Sequence, residues 1–387
     1  MRTLRWILGI VAALVLLLAA ALITAILVIN PDHYRGEIDR QVSLATGRPF
    51  VIEGNLRLSW FPWLALRVGP ARLGPAPGQP GPGLIDWRSA RVSIRLLPLL
   101  LHRQLDIGQI RLRGADIHLW REPDGRGNWQ DLLARSHSQA ATPALPVFAG
   151  LDIEDGTLHY AGRPGAPIIL THWHLRVSAW QSREPVTVSS RFLLRGGPLP
   201  RAGVAVRLRL ERLRLKSAPL AVSAPAVLLE VAGVTMRGMA TLMHGTNGFD
   251  AGGSLALTVP SVRHLVTLLN IKTRLPKDPR ALGKLSLTAR WRLKNGALTL
   301  NPLTARLDAT TLTGWVARSG GSQPLWRFAL EADRIDLAHY LPPKRNHPKP
   351  LVLPIKALRA LHARGTLSVG RVSFNGTTLR DIRLEVQ

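Results

Sequence analysis

The residues whose types and spacing could do chemistry are few. His172-Trp173-His174 would put two imidazoles on one face of a strand, the start of a metal pair, but spacing places no third ligand beside them. His159-Tyr160 and His339-Tyr340 read as surface pairs. Asp152, Glu154 and Asp155 are the densest acidic cluster of the β body. LDIEDG reads as a strand entering a turn, and acid–base carboxylates need a pocket that this pattern does not define. GRGNW lacks the strand–loop–helix setting and the lysine of a phosphate loop, and no G-x-S-x-G element occurs. With no cysteine there is no thiol nucleophile, disulfide, Cys-based metal site or lipidated N-terminal cysteine. No catalytic, cofactor-binding or metal-ligating residue is assigned, and no enzymatic activity is expected.

The remaining chemistry is charge. The chain carries a formal +27 at pH 7, which points to an anionic partner, either nucleic acid or an acidic membrane surface. A surface for single-stranded nucleic acid would interleave its arginines with aromatic residues for stacking. Here leucine and valine do the interleaving. In AGVAVRLRLERLRLKS, Val204, Val206, Leu208 and Leu210 hold the even positions, a strand alternation that would scatter round a helix. After Glu211-Arg212 the leucines move to 213 and 215, so the segment contains a bulge or a tight turn. The arginines lie opposite the aliphatic row, as a solvated outer face or a contact for anionic lipid.

The elements that would carry these faces begin with a membrane anchor. Ile7 to Ile29 is uncharged and apolar, long enough for the roughly 20 residues that span a bilayer as a helix. Trp6 marks its interface, Leu16 and Leu17 its middle. Arg2 and Arg5 precede it, so the positive-inside rule leaves the N-terminus cytoplasmic and the bulk outside. A cleaved signal would have a shorter apolar core. Residues 31–47 then read as a short amphipathic helix with Tyr34, Ile38, Val42 and Ala45 on one stripe and Gly47 as its stop.

Beyond Arg48 the period falls to two. Leu56 and Leu58 share a face with Trp60, Val92 shares one with Ile94, and Ile110 shares one with Leu112. Gly, Pro and Asp punctuate these runs as in an antiparallel all-β protein. Short helices interrupt at 128–136, 260–271, 335–343 and 355–365, and the Pro/Gly-rich stretch 70–86 reads as a long exposed loop. With an apolar fraction of 46%, a long aliphatic surface must be covered by something, and acyl chains are the obvious cover.

Ordered blocks along the chain resemble the AsmA family of Gram-negative inner-membrane proteins. Thr46-Gly47-Arg48-Pro49 closes the helix, followed by Ile52-Glu53-Gly54, Leu56 and Trp60-Phe61-Pro62. Leu97-Pro98-Leu99-Leu100 leads through two strands to Asp124-Gly125 and Asn128-Trp129. Leu307-Asp308 through Gly314, and Ile335 through Pro343, supply the last two blocks. The resemblance implies an elongated, curved antiparallel β-sheet groove, mainly β with a few short helices, chorein-like at its N-terminal end. It also implies an inner-membrane anchor and a periplasmic body, with an apolar concave face and a charged convex one. Larger relatives are thought to carry phospholipid toward the outer membrane.

The implied organisation is an anchor (1–30), an amphipathic helix (31–47), an N-terminal chorein-like β unit (48–136), a linker (137–146), a central β-groove (147–340), a second linker (341–354) and the start of the family's C-terminal β region (355–387). Leu56, Leu58, Val92, Ile94, Ile110, Leu112, Val206, Leu208 and Leu210 are the expected groove lining. The expected partners are membrane lipid, phospholipid above all, and an outer-membrane or periplasmic protein; nucleic acid is not expected. The family's C-terminal region usually continues well past TTLRDIRLEV, whereas this chain stops at Gln387, as a short family member or a truncated frame would.

Overall fold

The computed structural model describes residues 31–59, 65–79, 81–94, 107–121, 125–132, 149–162, 167–179, 184–197, 199–217, 220–245, 248–271, 273–321, 324–341, 362–374 and 376–386. The apolar run 7–29, the linker 137–146 and residues 342–354 of the second linker lie outside them, as do Pro62, Pro98 and residues 355–361 of the last expected helix. No helix among the described residues is long and apolar enough to cross a membrane.

Among the described residues, every strand belongs to one curved sheet. Its first part is built from strands β1 (Phe50–Ile52), β2 (Leu56–Ser59), β3 (Ala65–Val68), β4 (Ala71–Leu73), β5 (Ile85–Trp87), β6 (Ser89–Ile94), β7 (Ile107–Arg113) and β8 (Asp116–Trp120). These are four bent strands in eight pieces. Register is kept across each break: Val68 faces Ala90 and Ala71 faces Trp87, then Ser89 faces Arg113 and Asp86 faces Asp116. At these breaks the outermost pair slips, where the Glu53 and Gly54 amides both donate to the Pro70 carbonyl (2.8 and 2.9 Å), a bulge, and β6 and β7 shift register between Val92 and Ile94. Glycine is required at this bend because a Cβ on Gly54 would stand 2.4 Å from Pro70 Cδ. Gly114, at φ +58°, serves the same bend between β7 and β8.

Both β7 and β8 lie parallel to the long strand β9 (Gly150–Ala161), Arg113 beside Glu154 and Asp116 beside Thr157. The LDIEDG segment is thus inside a continuous strand, with Asp155 at φ +53° marking a bulge where a turn was expected. A meander follows: β10 (Ile168–Val177), β11 (Val186–Arg195), β12 (Val204–Ser217), β13 (Leu220–Val231), β14 (Val234–Gly245), β15 (Gly248–Val259), β16 (Leu285–Lys294), β17 (Ala297–Leu307), β18 (Thr310–Arg318) and β19 (Trp326–Asp336). Asn295-Gly296, both at positive φ, make the tight turn between β16 and β17. The parallel pairing of β19 with β20 (Ala363–Phe374) precedes the final hairpin to β21 (Thr377–Val386). Two parallel joints therefore interrupt the expected antiparallel order, each fed by a connection long enough for a crossover.

The helix α1 (Arg35–Thr46) ends at Gly47 in the left-handed conformation, φ +67°. Ile38 and Val42 pack on the cluster of Phe50, Ile52, Leu56, Val68 and Leu73. Tyr34 does not join that stripe and is exposed. The helix and the turn Pro31–Tyr34 that precedes it also serve the sheet's first edge. Asp32, Asp39 and Ser43 accept the amides of Leu56 (2.8 Å), Ile52 (3.1 Å) and Phe50 (2.9 Å). An edge that would otherwise offer free N–H groups to another chain is satisfied by its own helix.

The stretch 70–86 is not one exposed loop. Ala71–Leu73 and Ile85–Trp87 are paired strands, and Ala71, Leu73 and Leu84 are buried. The Pro/Gly content is confined to the connection between them. Among the described residues the other short helices are α2 (Val262–Leu268) and α3 (Leu337–Tyr340), and residues 130–132 are helical within the expected 128–136.

Candidate functional site

Cross-strand register makes the two faces of the sheet explicit. On one face, Leu58 faces Leu66, which faces Val92, then Ile110, Leu151, Val177, Val188, Leu210 and Val227. The same row continues through Gly238, Leu255, Ala289, Leu303, Gly314, Leu330 and Leu367 to Leu384. No polar side chain enters it from one end of the sheet to the other. The adjoining row on this face runs from Leu56 through Val68, Ala90, Leu112, Ile153 and Leu175, and Ser190 is its polar interruption before Leu208 and Leu229.

Leu58, Val92, Ile110 and Leu210 thus belong to one row, and Leu56, Leu112 and Leu208 to its neighbour. Val206 lies one step further along β12, and Ile94 pairs with Ile107 at the end of β6. Most of the first row is half-buried, and Leu384 is 47% exposed.

The opposite face carries arginine. Arg57, Arg67, Arg91 and Arg111 are successive cross-strand neighbours, followed by Asp152, Arg176, Ser189 and Arg209. Like charges placed opposite one another destabilise a sheet, and the acidic cluster relieves this. Asp152 is 5% exposed, with Arg176 Nε at 3.2 Å, Arg111 Nη2 at 3.5 Å and the Gln109 amide at 2.6 Å. Glu154 takes Arg113 (2.7 Å), and Asp155 takes Arg88 (2.6 Å). The Arg113 hydrogen bond holds the Glu154 carboxyl below the usual range, against the opposing effect of burial. These carboxylates are counter-charges, each committed to an arginine. An open hollow of about 540 Å³ lies on this arginine face, between Asp152, Arg191, Arg207 and Arg209, so hollowness is not confined to the aliphatic side as expected.

In RLRLERLRL, a single strand passes through Glu211-Arg212. Arg212 sits at φ +54°, and three steps on β12 match two on β11 between Leu210 and Leu213. The phase slip is a bulge, and Leu213 is buried beyond it with Val186 and Ala224. β10 is irregular in the same way between Thr171 and His174, with His172 at φ +51°. Simple alternation across that pair fails, and the expected shared face for His172 and His174 does not form.

The family-type motifs meet in two knots. In the first, Arg48 is 1% exposed. Its guanidinium donates to Asp131 (2.6 and 3.1 Å) and to the Asn128 and Gly74 carbonyls. The Asn128 side chain accepts the Trp120 amide (3.0 Å) and donates to the His118 carbonyl (2.9 Å). Gly125, at φ +87°, turns the chain toward Asn128, and Trp129 packs against Tyr160.

In the second knot, Asp308 accepts the Leu282 and Gly283 amides (3.0 and 2.9 Å) and the Tyr340 hydroxyl (3.0 Å). His339 Nδ1 lies 2.8 Å from Asp278. Gly314, at φ +137°, lets β18 approach the Ala329 carbonyl, which a Cβ would meet at 2.0 Å. Burial and the Asp308 contact push the Tyr340 phenol up to about 12. In Asp308→Asn the charge is removed, and Tyr340 should ionise at lower pH, closer to the ordinary value near 10. Ultraviolet titration of the three tyrosines reads this directly; an unchanged high-pH step would mean Asp308 does not act on Tyr340.

A grouping that sequence spacing did not reveal also emerges. Asp116, His118 and His159 have ligand atoms within 4.8 Å of one another. A-D-I-H showed an aspartate and a histidine on one strand face; the third member depends on the parallel β8–β9 register.

One sheet with an aliphatic band on one face, compensated arginines on the other and a helix sealing its first edge defines an elongated β-sheet protein that presents a surface. Residues 1–181 match the AsmA family. The chain is 22% identical over 329 residues to Protein AsmA of Escherichia coli (strain K12), covering 85% of this chain and 47% of that protein. It spans about half the length of the curated relative it matches.

Proposed function

We propose that the protein is an inner-membrane-anchored periplasmic AsmA-family protein that binds phospholipid along the aliphatic face of its sheet, as part of outer-membrane assembly and lipid homeostasis. The observation that carries this reading is the unbroken row from Leu58 to Leu384. A soluble protein rarely leaves so long an apolar surface uncovered, and extended acyl chains match a row running across the strands. The N-terminal charge pattern supports the anchor and its orientation. The arginine face suits anionic head groups at the membrane surface. The reading involves no catalysis and no nucleic acid.

The test is to purify the full chain in detergent and identify bound lipid by mass spectrometry, with photo-crosslinkers at Leu255 and Leu330. Phospholipid adducts are expected at both. Protein adducts in place of lipid would favour the other reading, a scaffold assisting envelope or outer-membrane protein assembly. Orientation is tested separately: a periplasm-active reporter fused after Gln387 should be active, and activity only of a cytoplasmic reporter would reverse the topology.

A further inference from the structure

Asp116 and His118 sit two residues apart on β8, and His159 is the direct cross-strand partner of His118 on β9. The two imidazoles are stacked, with centroids 4.7 Å apart and planes within 2°, so one ring must turn about its side-chain torsions to aim its nitrogen at an ion shared with the other. Asp116 Oδ1 lies 3.3 Å from His159 Nε2 and 3.9 Å from His118 Nε2. Ligands held at about 2.0–2.1 Å from a tetrahedral zinc ion are roughly 3.3 Å from each other, so these separations are close to those of a metal's ligands.

A second observation points the same way. Asp116 Oδ1, the carboxylate oxygen nearest both imidazoles, is shut off from solvent and makes no hydrogen bond. Buried polar atoms are nearly always satisfied, and an exception calls for a missing ion or water. The 3.3 Å approach of His159 to Asp116 has the distance of a hydrogen bond without its geometry, as expected for two groups that face a third atom. The neighbouring acid on β5, Asp86, is already taken by Arg72 at 3.0 Å. The three side chains remain partly accessible, at 44%, 24% and 36%, so an ion can enter.

We propose that Asp116, His118 and His159 form a binding site for a divalent transition metal, zinc in particular, with solvent completing the coordination. Two imidazoles and one carboxylate suit zinc and exclude the oxygen-rich preference of calcium and magnesium. The site lies just past the bend at Gly114 and Asp155, where β8 joins β9 in parallel. A bound ion would fasten the bent N-terminal part of the sheet to its long meander. The site is independent of lipid binding, since its side chains lie on the arginine face.

The experiment uses the full chain in detergent, stripped with chelator and titrated with zinc chloride by calorimetry, then with cobalt(II) followed by visible absorption. One zinc per chain is expected, with the strong visible bands of tetrahedral cobalt. His118→Gln, His159→Gln and the near-isosteric Asp116→Asn should each weaken binding by more than about 100-fold, since even the outer partners of a metal ligand are worth about 10–100-fold. His172→Gln and His174→Gln should bind as the parent does. Zinc should raise the thermal midpoint of the parent and leave that of His159→Gln unmoved. Failure of the parent chain to bind zinc overturns the proposal outright, whatever the variants' stability. So does binding that is indifferent to all three substitutions, which would leave a stacked histidine pair on a polar strand face.

Discussion

Arginine in place of Leu208 is expected to strip co-purified phospholipid from the protein by at least about tenfold, leaving the sheet folded. Leu208 lies between Ser190 and Leu229 in the second aliphatic row, beside the unbroken first row at Leu210. It is half-buried, so a longer side chain can be accommodated without overpacking a closed core. A guanidinium there excludes chain methylenes from its surroundings. Each methylene removed from water is worth about 0.8 kcal/mol, so losing contact with only two exceeds the 1.4 kcal/mol that corresponds to a tenfold change. Leu208→Met should retain lipid. Arg209→Ser, on the opposite face and 61% exposed, should retain it as well. Lipid mass spectrometry per mole of protein, with far-ultraviolet circular dichroism for fold, makes the comparison. Equal loss from the Leu208 and Arg209 variants would place the lipid elsewhere.

That the informative half of RLRLERLRL is its leucines was legible from alternation alone. The bulge at Arg212 was legible too, as a phase slip, because side-chain direction has a period of two and one extra residue inverts it. What alternation cannot supply is register between strands far apart in sequence. The row from Leu58 to Leu384 depends on successive pairings, two of them parallel joints fed by crossovers that no local pattern encodes. For the same reason His118 and His159, 41 positions apart in number, came together only through the β8–β9 ladder. The stretch 70–86 was misread because glycine and proline there mark the bend and connection, while the three-residue strands beside them are too short to show a period. Arg48 and Asn128 could be picked out by resemblance, but their contact could not be derived. Each was a lone polar residue until the fold buried both.

Arg48→Ala should loosen the N-terminal part of the sheet far more than any surface arginine does. The Arg48 side chain is fully buried, whereas Asp131 is 34% exposed. Removing the guanidinium leaves the Asn128 and Gly74 carbonyls and a partly buried carboxylate without their donor. Breaking a buried pair from one side costs about 3–5 kcal/mol, and the partial exposure of Asp131 puts the expectation at the lower end. A cost of about 3 kcal/mol corresponds to more than about a hundredfold loss of protection from hydrogen exchange. It should appear at the Phe50, Ile52 and Leu56 amides, which the helix side chains accept, while peptides from β16 to β18 keep their protection. Arg48→Lys should fall between, since an ammonium cannot reproduce the two-pronged contact with Asp131. Burial raises the Asp131 pKa, but the Arg48 hydrogen bond and charge outweigh it and leave the carboxyl below its usual value. A depressed carboxylate contributes stability that is present above its unfolded pKa and lost as pH falls through the folded one. The parent should therefore open in acid through this group, and Arg48→Ala should lose that part of the pH dependence. Unchanged exchange at Phe50, Ile52 and Leu56 in Arg48→Ala would show that α1 and β1 hold together without the knot.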